Sequence, residues 1–443
     1  MSSINARQRA RMPKPFRDAL RRLFITTCLL TRTTEHAARR LGAGYFLPAL
    51  FVQRYAAMGG LDAAQFRDQM NGVRSFTDEA WCGHWNALAE AQLQAAEACV
   101  PGFASNPACT QARAALAPWG AQVATLMSER SAPLGVAGDE GSSAQQALEA
   151  LRCTVKAITY YQVSAFPGHT AGRLQAYHRS AQLFDGLTQV VAPLLGMVIE
   201  RVAIEVNGET VKGYLATPAG SQRCPLVVVT NGLEGTVQEL AIPLLRYHDS
   251  GLAVFFMEMP GTYAHRQRMS VDSESIYHGV IEHLARHPRV DPGRIGLVGV
   301  SFGAYWAARL AATSRRLQCA VACGAPTHRT FQVGNTIGIP DIIVKALQHT
   351  TGATSLHGLM RALRALSLRP LYAQIQIPLL VINGDHDTLL STQDSRDLAA
   401  QAPRATLKLY PNDDHCAMGH YREWLDLSQT WVRDQLMRVP GAA

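Results

Sequence analysis

A serine, an acid and a histidine occur in the second half of the sequence in the order that a hydrolytic triad would use. The serine is Ser301 in the segment GVSFGA, where Gly299 and Gly303 lie two residues away on either side. A G-x-S-x-G segment between a strand and a helix is typical of a nucleophile elbow, a sharp turn that exposes the serine hydroxyl. The two glycines leave room for the crowded backbone of such a turn. The segment therefore predicts that Ser301 is a nucleophile for acyl transfer.

The acid and the base are expected further along the chain, because a serine hydroxyl needs a base to take its proton. The segment GDHD follows the apolar run PLLVING and offers two acids, Asp385 and Asp387. We choose Asp387, which lies further into the loop and has the Gly-x-x-Asp spacing. The segment DDHC places His415 in a loop after the last predicted strand, and the alternative, His420, lies nearer the final helix. We predict that Asp387 orients His415 and that His415 activates Ser301.

An oxyanion hole needs two backbone N–H groups beside the nucleophile. The segment NGLEGT follows the early strand VVVT, and the small Gly232 in it permits close approach of the backbone. We predict that the N–H groups of Leu233 and Phe302 form the hole. Glu234 is predicted either to orient the substrate or to bond within its own loop. Tyr263, after the segment EMPGT, is predicted to line the same pocket.

The elements that must position these residues divide the chain into two parts. Residues 1–195 are rich in helix-forming residues with almost no strand pattern, which predicts an all-helical N-terminal domain. Residues 196–443 begin with a hairpin signal at Asn207-Gly208 and continue as apolar strands that alternate with helices. This alternation predicts an α/β domain whose mostly parallel sheet is covered on both faces. Residues 326–371 are predicted to be a helical lid inserted between two strands.

Composition indicates a globular, cytoplasmic protein without a membrane span. Of the 443 residues, 47% are hydrophobic and 17% are charged, and no apolar run reaches the ~18 residues that a spanning helix needs. Arg21-Arg22 before LFITTCLL faintly resembles an export signal, but Arg32 interrupts the apolar stretch and no cleavage site follows. The nine scattered cysteines do not suggest a disulfide framework, which favours a reducing compartment.

The positive charge is concentrated at the beginning of the chain. The first forty residues contain ten Lys or Arg and two acids, a net charge of +8, which equals the net charge of the whole chain. The remainder is neutral overall, so no broad nucleic-acid surface is predicted. The basic segment is interpreted either as a solvated helix or as a docking surface for an acidic partner, such as a carrier protein or a neighbouring subunit.

The segments NGLEGT, MPG, GVSFGA, GDHD and DDHC give residues 200–440 a resemblance to the α/β-hydrolase superfamily. With the segments WCGHW and YYQVSAFPG and the long helical first part, the chain is similar to the fermentation–respiration switch protein-like esterases. That group includes 2,6-dihydropseudooxynicotine hydrolase and fungal enzymes that shorten polyketide pigment precursors. The resemblance implies a helical cap over the active site and a homodimer. It also implies cap-side substrate contacts from Trp85, Tyr161 and Gln162, although core packing explains the aromatic residues equally well.

The sequence therefore predicts a serine hydrolase that forms an acyl-enzyme. The resemblance implies that its substrates are small molecules, often aromatic or polyketide-derived, that contain an ester, thioester or ketone-type C–C bond. One alternative is an acyltransferase or cyclase of secondary metabolism with the same triad, and another is a non-catalytic regulatory protein that binds a partner. No metal or cofactor is predicted, because the triad accounts for the Asp and His residues and no nucleotide-binding glycine motif is present.

Overall fold

The first part of the chain is helical. A computed structural model describes residues 14–48, 50–107, 110–128, 142–220, 223–332 and 337–438. The first thirteen residues of the basic segment therefore lie outside the described residues. The α-helices described before residue 196 are α1 (Lys14–Leu30), α2 (Thr34–Leu41), α3 (Leu50–Ala57), α4 (Ala63–Asn71), α5 (Asp78–Cys99), α6 (Thr110–Leu116), α7 (Gly120–Ser128), α8 (Ser143–Ala165) and α9 (Ala171–Leu194).

The core of this helical region forms around α8. This helix is buried along most of its length and packs against both α5 and α9. Its N-terminus is stabilised by Ser142, whose side chain accepts a hydrogen bond from the Gln145 N–H at 3.3 Å. From Ala157 to Ala165 every residue of α8 is buried, as expected of a central helix, whereas Glu149, Arg152 and Lys156 are only half-buried. The predicted helical character of this part of the chain is confirmed.

An eight-stranded sheet follows, with strand order β1-β2-β4-β3-β5-β6-β7-β8. The β1–β2 and β2–β4 pairs are antiparallel, and all the other pairs are parallel. The strands are β1 (Met197–Val206), β2 (Glu209–Pro218), β3 (Cys224–Thr230), β4 (Ala253–Met257), β5 (Val290–Val300), β6 (Leu317–Cys323), β7 (Leu379–Gly384) and β8 (Ala405–Tyr410). Every residue of β3 is buried, so both faces of the sheet centre are covered.

The helices that accompany the sheet are α10 (Val237–Leu244), α11 (Glu274–Leu284), α12 (Phe302–Thr313), α13 (Asp341–Thr351), α14 (Leu356–Ala365), α15 (Thr392–Gln401) and α16 (Tyr421–Met437). They alternate with the parallel strands, which confirms the predicted α/β-hydrolase arrangement. The antiparallel edge begins at the predicted hairpin, where Asn207 and Gly208 both have positive φ values, 51° and 77°. Two successive positive φ values match a type I′ turn, which suits Asn-Gly.

The segment predicted as a lid contains α13 and α14, which lie between β6 and β7. Its residues 333–336 lie outside the described part of the chain. The segment contacts the N-terminal helices: the Arg22 guanidinium on α1 donates to the Ile337 carbonyl at 2.7 Å, and the Gly338 N–H donates to Thr26 Oγ1 at 2.9 Å. These contacts connect the first helix to the segment that follows β6.

The described helices and cysteines bear on the membrane and disulfide predictions. Within the residues that the structure describes, each helix is either too short or too polar to cross a lipid bilayer. Eight of the nine cysteines lie in this part, and no disulfide joins any two of them. Cys319 and Cys323 are buried in β6, where they pack as small apolar side chains, as the apolar segment CAVACG indicates.

Candidate active site

Ser301 occupies the turn between β5 and α12. Its φ and ψ values are 57° and −124°, a strained backbone conformation that residues other than glycine seldom adopt. The strain is held in place by the Ser301 N–H, which donates to the Cys323 carbonyl at 2.7 Å. Because β5 ends at Val300 and α12 begins at Phe302, the turn consists of this serine alone. This is the geometry expected of a nucleophile elbow.

The two glycines of the elbow are required by close backbone contacts. A Cβ atom on Gly299 would lie 2.1 Å from the Gly303 carbonyl oxygen. A Cβ atom on Gly303 would lie 2.3 Å from the Thr230 carbonyl oxygen at the end of β3. Both distances are far below van der Waals contact, and backbone atoms cannot move aside as a flexible side chain can. The turn therefore fits beside β3 only with glycine at both positions, as the sequence pattern predicts.

Two hydrogen bonds join the three predicted triad residues. His415 Nε2 lies 2.9 Å from Ser301 Oγ, and His415 Nδ1 lies 2.8 Å from Asp387 Oδ2. The Asp387 side chain is fully buried, and that of His415 is almost so. The carboxylate can fix the tautomer with hydrogen on Nδ1, which leaves Nε2 free to accept the proton of the serine hydroxyl.

The Asp387 carboxylate is held by its own set of donors. Oδ1 accepts hydrogen bonds from the N–H groups of Leu389 and Leu390 at 3.0 and 2.7 Å, and Oδ2 accepts one from the Asn383 amide at 3.0 Å. Burial acts to raise the pKa of the Asp387 carboxyl, but the charge of His415 and these hydrogen bonds outweigh burial and hold that pKa below its ordinary value. The acid therefore stays ionised beside the histidine.

The alternative acid and histidine make other contacts. Asp385 Oδ1 lies 2.5 Å from His386 Nδ1 and accepts a hydrogen bond from the Asn412 N–H at 2.7 Å. His420 Nδ1 lies 2.8 Å from Asp413 Oδ2, and one third of the His420 side chain is exposed. Each side chain thus belongs to a local pair near the final helix or the loop after β7, away from the serine.

The electrostatic surroundings of His415 predict the pH dependence of activity. Burial disfavours the imidazolium, but Cys416 and the Asp387 carboxylate act in the opposite direction, so the pKa of His415 lies above its ordinary value. Cys416 Sγ lies 3.3 Å from His415 Nε2, a neighbour that the sequence does not indicate. Burial raises the pKa of this thiol well above its usual range, so the thiol is uncharged at neutral pH and we assign the effect on His415 to Asp387.

We expect kcat/KM to rise with pH through a single ionisation above pH ~6.5, the ordinary pKa of histidine. The reason is that the imidazolium cannot accept the serine proton, so activity requires the neutral ring. Initial rates of ester hydrolysis between pH 5 and pH 9, at constant ionic strength, measure this rising limb of the pH profile of kcat/KM. A limb centred at or below pH 6 would contradict the raised pKa of His415.

The backbone after β3 lies directly against the nucleophile. A Cβ atom on Gly232 would lie 3.0 Å from Ser301 Oγ and 3.2 Å from the Phe302 nitrogen. Phe302 is the first residue of α12, so its N–H lies in the first helical turn, where the helix offers no acceptor. Leu233 follows Gly232 in the same loop. The structure thus places Gly232 beside the nucleophile and the first residue of α12, and the oxyanion hole formed by the Leu233 and Phe302 N–H groups stays a prediction.

A cavity opens onto Ser301 and His415, and both parts of the chain line it. Most of its wall is apolar, which favours substrates with an apolar body. The apolar lining residues are Pro48, Leu50, Phe51, Met58, Phe166, Val300, Ile343, Leu389 and Met418. Five of them come from the segments of residues 48–58 and 166, and Ile343 comes from α13, in the segment predicted as a lid. Residues from the helical region therefore form one side of the candidate site.

Comparison with known proteins agrees with this geometry. The family model described as esterase FrsA-like matches residues 134–437, which is more than half of the chain. The chain belongs to the FrsA-like esterase family. The predicted family resemblance is confirmed, and the chain is a member of a hydrolase family.

Curated relatives of this FrsA-like chain are about one quarter identical to it over the aligned residues. Esterase FrsA of Vibrio cholerae serotype O1 (strain ATCC 39315) is 25% identical over 316 residues, which cover 69% of this chain and 75% of the relative. The 2,6-dihydropseudooxynicotine hydrolase of Paenarthrobacter nicotinovorans is 26% identical over 264 residues, which cover 57% of this chain and 68% of the relative.

Solved structures show the same fold. The crystal structure of 2,6-dihydroxy-pseudo-oxynicotine hydrolase is similar to 87% of this chain and 95% of its own, with a TM-score of 0.63 at 20% identity. Wild-type AbyA5 is similar to 64% of this chain and 83% of its own, with a TM-score of 0.56 at 24% identity. At these identities, the likeness supports the architecture and not the substrate.

Of the predicted pocket residues in this FrsA-like chain, Glu234 lines the cavity and Tyr263 does not. The Tyr263 hydroxyl donates to the Glu234 carbonyl at 2.8 Å, and its ring stacks on Tyr177 with centroids 4.7 Å apart. Tyr263 therefore supports the loop that carries Glu234. The predicted contact of Tyr263 with the substrate stays a prediction, because the sequence places this residue at the rim without showing which way its ring turns.

The predicted cap-side contacts also lie away from the cavity. Trp85 is fully buried in the helical core, where its ring packs edge-on against Trp81. The Tyr161 hydroxyl donates to the Glu90 carboxylate, and Gln162 is buried on the same helix. None of the three is among the residues that line the cavity. Core packing, the alternative given for the aromatic residues, accounts for them.

The sequence did not identify Arg54 on α3, which lines the cavity with Glu234 and Glu239. Arg54 Nε and Nη2 donate to the two Glu239 carboxylate oxygens at 2.5 and 2.7 Å, and Arg54 Nη1 lies 3.7 Å from Glu234 Oε2. A usable signal does exist in the segment ALFVQRYAAM, where Arg54 is the only charged residue among apolar neighbours. The sequence does not reveal its partners, because 185 residues separate Arg54 from Glu239.

The described residues contain no group of three or more His, Cys, Asp or Glu side chains arranged to hold a metal ion. The pairs given above instead use Asp385, His386 and Asp387 of GDHD, and Asp413 and His415 of DDHC. The site is thus a set of polar side chains in a mostly apolar cavity, and Ser301 and His415 are among its lining residues.

Proposed function

We propose that the chain is a serine hydrolase that works through an acyl-enzyme. The observation that supports this most strongly is the pair of hydrogen bonds from Asp387 through His415 to Ser301, in the wall of a mostly apolar cavity. Membership of an esterase family supports the same conclusion. A strained serine backbone that only two glycines permit is costly for a protein without a reaction to perform.

In the proposed reaction, Ser301 Oγ attacks the substrate carbonyl while His415 Nε2 takes the hydroxyl proton. The N–H groups of Leu233 and Phe302 donate to the oxyanion that forms. When the intermediate collapses, His415 returns the proton to the leaving group, and the acyl group stays on Ser301. A water molecule, deprotonated by His415, then attacks the acyl-enzyme and releases the acid. Asp387 stabilises the imidazolium in both steps.

We propose esters, thioesters or ketone-type C–C bonds of small molecules as substrates, including aromatic and polyketide-derived ones. The apolar wall supports an apolar substrate body, and Phe51 and Phe166 offer ring surfaces within it. The likeness to 2,6-dihydropseudooxynicotine hydrolase supports aromatic substrates. For a C–C bond the leaving group is a carbanion, and the proton returned by His415 completes the cleavage.

The first test is covalent labelling of the full chain with a fluorophosphonate, followed by intact-mass spectrometry. We expect one adduct on the parent protein and none on the Ser301→Ala variant, because only an activated serine displaces fluoride at a useful rate. Heat-unfolded parent protein is the control, and it should not react. Failure of the folded parent to react with this probe and also with a smaller phosphonylating reagent would overturn the proposal and favour a binding protein.

A further inference from the structure

The cavity wall contains a buried charge pair that the proposed triad does not use. Arg54 on α3 and Glu239 on α10 form a two-point ion pair, and their side chains are only 15% and 3% exposed. The helix that carries Arg54 packs against the segment that carries His415. A buried ion pair gives little net stability compared with apolar side chains of similar volume. Stability alone is therefore a weak reason for its presence in an otherwise apolar wall.

Glu239 engages only part of the Arg54 guanidinium, and Arg54 is one of the residues that line the cavity. A guanidinium has five N–H groups, and Glu239 takes one from Nε and one from Nη2. Nη1 has no hydrogen bond to any of the residues that the structure describes, and the Glu234 carboxyl oxygen Oε2 lies 3.7 Å from it. Because Glu239 fixes the guanidinium plane, the Nη1 donors point in a set direction. They form a pre-oriented donor group in the cavity that contains Ser301.

The charges around this edge select the kind of group that it can bind. Glu239 neutralises the Arg54 charge, and the Glu234 carboxyl beside Nη1 would repel a second anion. The guanidinium in turn disfavours a cation at the same position. An uncharged oxygen acceptor avoids both penalties and satisfies a donor that would otherwise remain unpaired once substrate excludes water.

We infer that Arg54 is a specificity-determining residue that donates a hydrogen bond from Nη1 to a second, uncharged carbonyl oxygen in the acyl part of the substrate. The inference rests on the proposed function, since it assigns the group beyond the carbonyl that Ser301 attacks. It predicts that the enzyme prefers keto-acyl esters to simple acyl esters of the same length. Glu239 is the positioning residue that holds the guanidinium in place.

The test compares kcat/KM for two pairs of chromogenic substrates. One pair is 4-nitrophenyl 4-oxopentanoate and 4-nitrophenyl pentanoate, and the other is 4-nitrophenyl 5-oxohexanoate and 4-nitrophenyl hexanoate. In each pair only the keto oxygen differs, and two chain lengths sample two positions of that oxygen. Removal of Arg54 alone would leave Glu239 buried without a partner, so the variant is Arg54→Met with Glu239→Gln. For each pair, the keto/alkyl ratio is kcat/KM for the keto ester divided by kcat/KM for the alkyl ester. This ratio is compared between the parent and the variant, so intrinsic differences in ester reactivity cancel.

We expect the double substitution to lower the keto/alkyl ratio about 10- to 100-fold for at least one pair, the effect of one charged hydrogen bond. The control is Arg309→Met with Glu274→Gln, which removes a comparable ion pair outside the cavity and should leave both ratios unchanged. A parent and variant with equal ratios for both pairs would overturn the inference while the proposed function stands. If the parent hydrolyses none of the esters and Ser301 is not labelled, both fail together.

Discussion

Substitution of His415 by glutamine is expected to lower kcat for a 4-nitrophenyl ester by about 10⁶-fold, the loss seen when the base of a serine triad is removed. Without the ring, Ser301 Oγ loses the acceptor that lies 2.9 Å away and takes its proton. The matched variant, His420→Gln, is expected to keep kcat within about threefold, because His420 pairs with Asp413 and not with the serine. Stopped-time assays at saturating substrate measure both variants.

The two histidine variants must be compared as folded proteins, because His415 is buried and His420 is partly exposed. Glutamine retains a polar side chain of similar reach, and thermal unfolding followed by circular dichroism checks that each variant remains native. Equal losses of activity in both variants would show that the second histidine, or general damage to the loop after β8, determines activity. A folded His415→Gln variant with more than about one thousandth of the parent rate would contradict the assigned role.

The fold of this chain can be predicted from sequence because its local signals agree with each other. Continuous apolar runs between helices require a sheet that is buried on both faces, and β3 is buried at every position. The Asn207-Gly208 pair supplies the two positive φ values that the first hairpin needs. The elbow is equally local, since Ser301, Gly299 and Gly303 lie within five residues. For the sheet, the hairpin and the elbow, the contacts that determine the structure form between neighbours in the chain or between the ends of adjacent strands.

The cavity wall could not be predicted in the same way. Trp85 and Tyr161 are the kind of residue that lines an aromatic pocket, yet α8 is buried on nearly all sides and sequence periodicity does not tell which side faces the cavity. Arg54 shows the converse: it reaches the site from α3, and its role depends on Glu239, 185 residues away. Which residues line the pocket depends on how elements distant in the chain pack together. The position of each triad residue, by contrast, follows from the end of one strand.

Substitution of Asp387 by asparagine is expected to lower kcat about 10⁴-fold, because the amide can donate to His415 Nδ1 and so stabilise the wrong tautomer. The matched variant is Asp385→Asn, which removes the other acid of GDHD and should keep kcat within about threefold. Asp385 contacts His386 and the backbone N–H of Asn412, neither of which touches the nucleophile. Steady-state rates of the two variants at pH 8 therefore separate the two candidate acids.

The pH profile gives Asp387→Asn a second readout that a general loss of structure would not produce. The carboxylate raises the pKa of His415, so its removal should move the acidic limb of kcat/KM to lower pH even as the maximum falls. In the Asp385→Asn variant, the acidic limb of kcat/KM should lie at the same pH as in the parent. An Asp387→Asn profile that is lower but not displaced would mean that the carboxylate orients the imidazole without setting its charge. The raised pKa of His415 would then have to come from other groups around the ring.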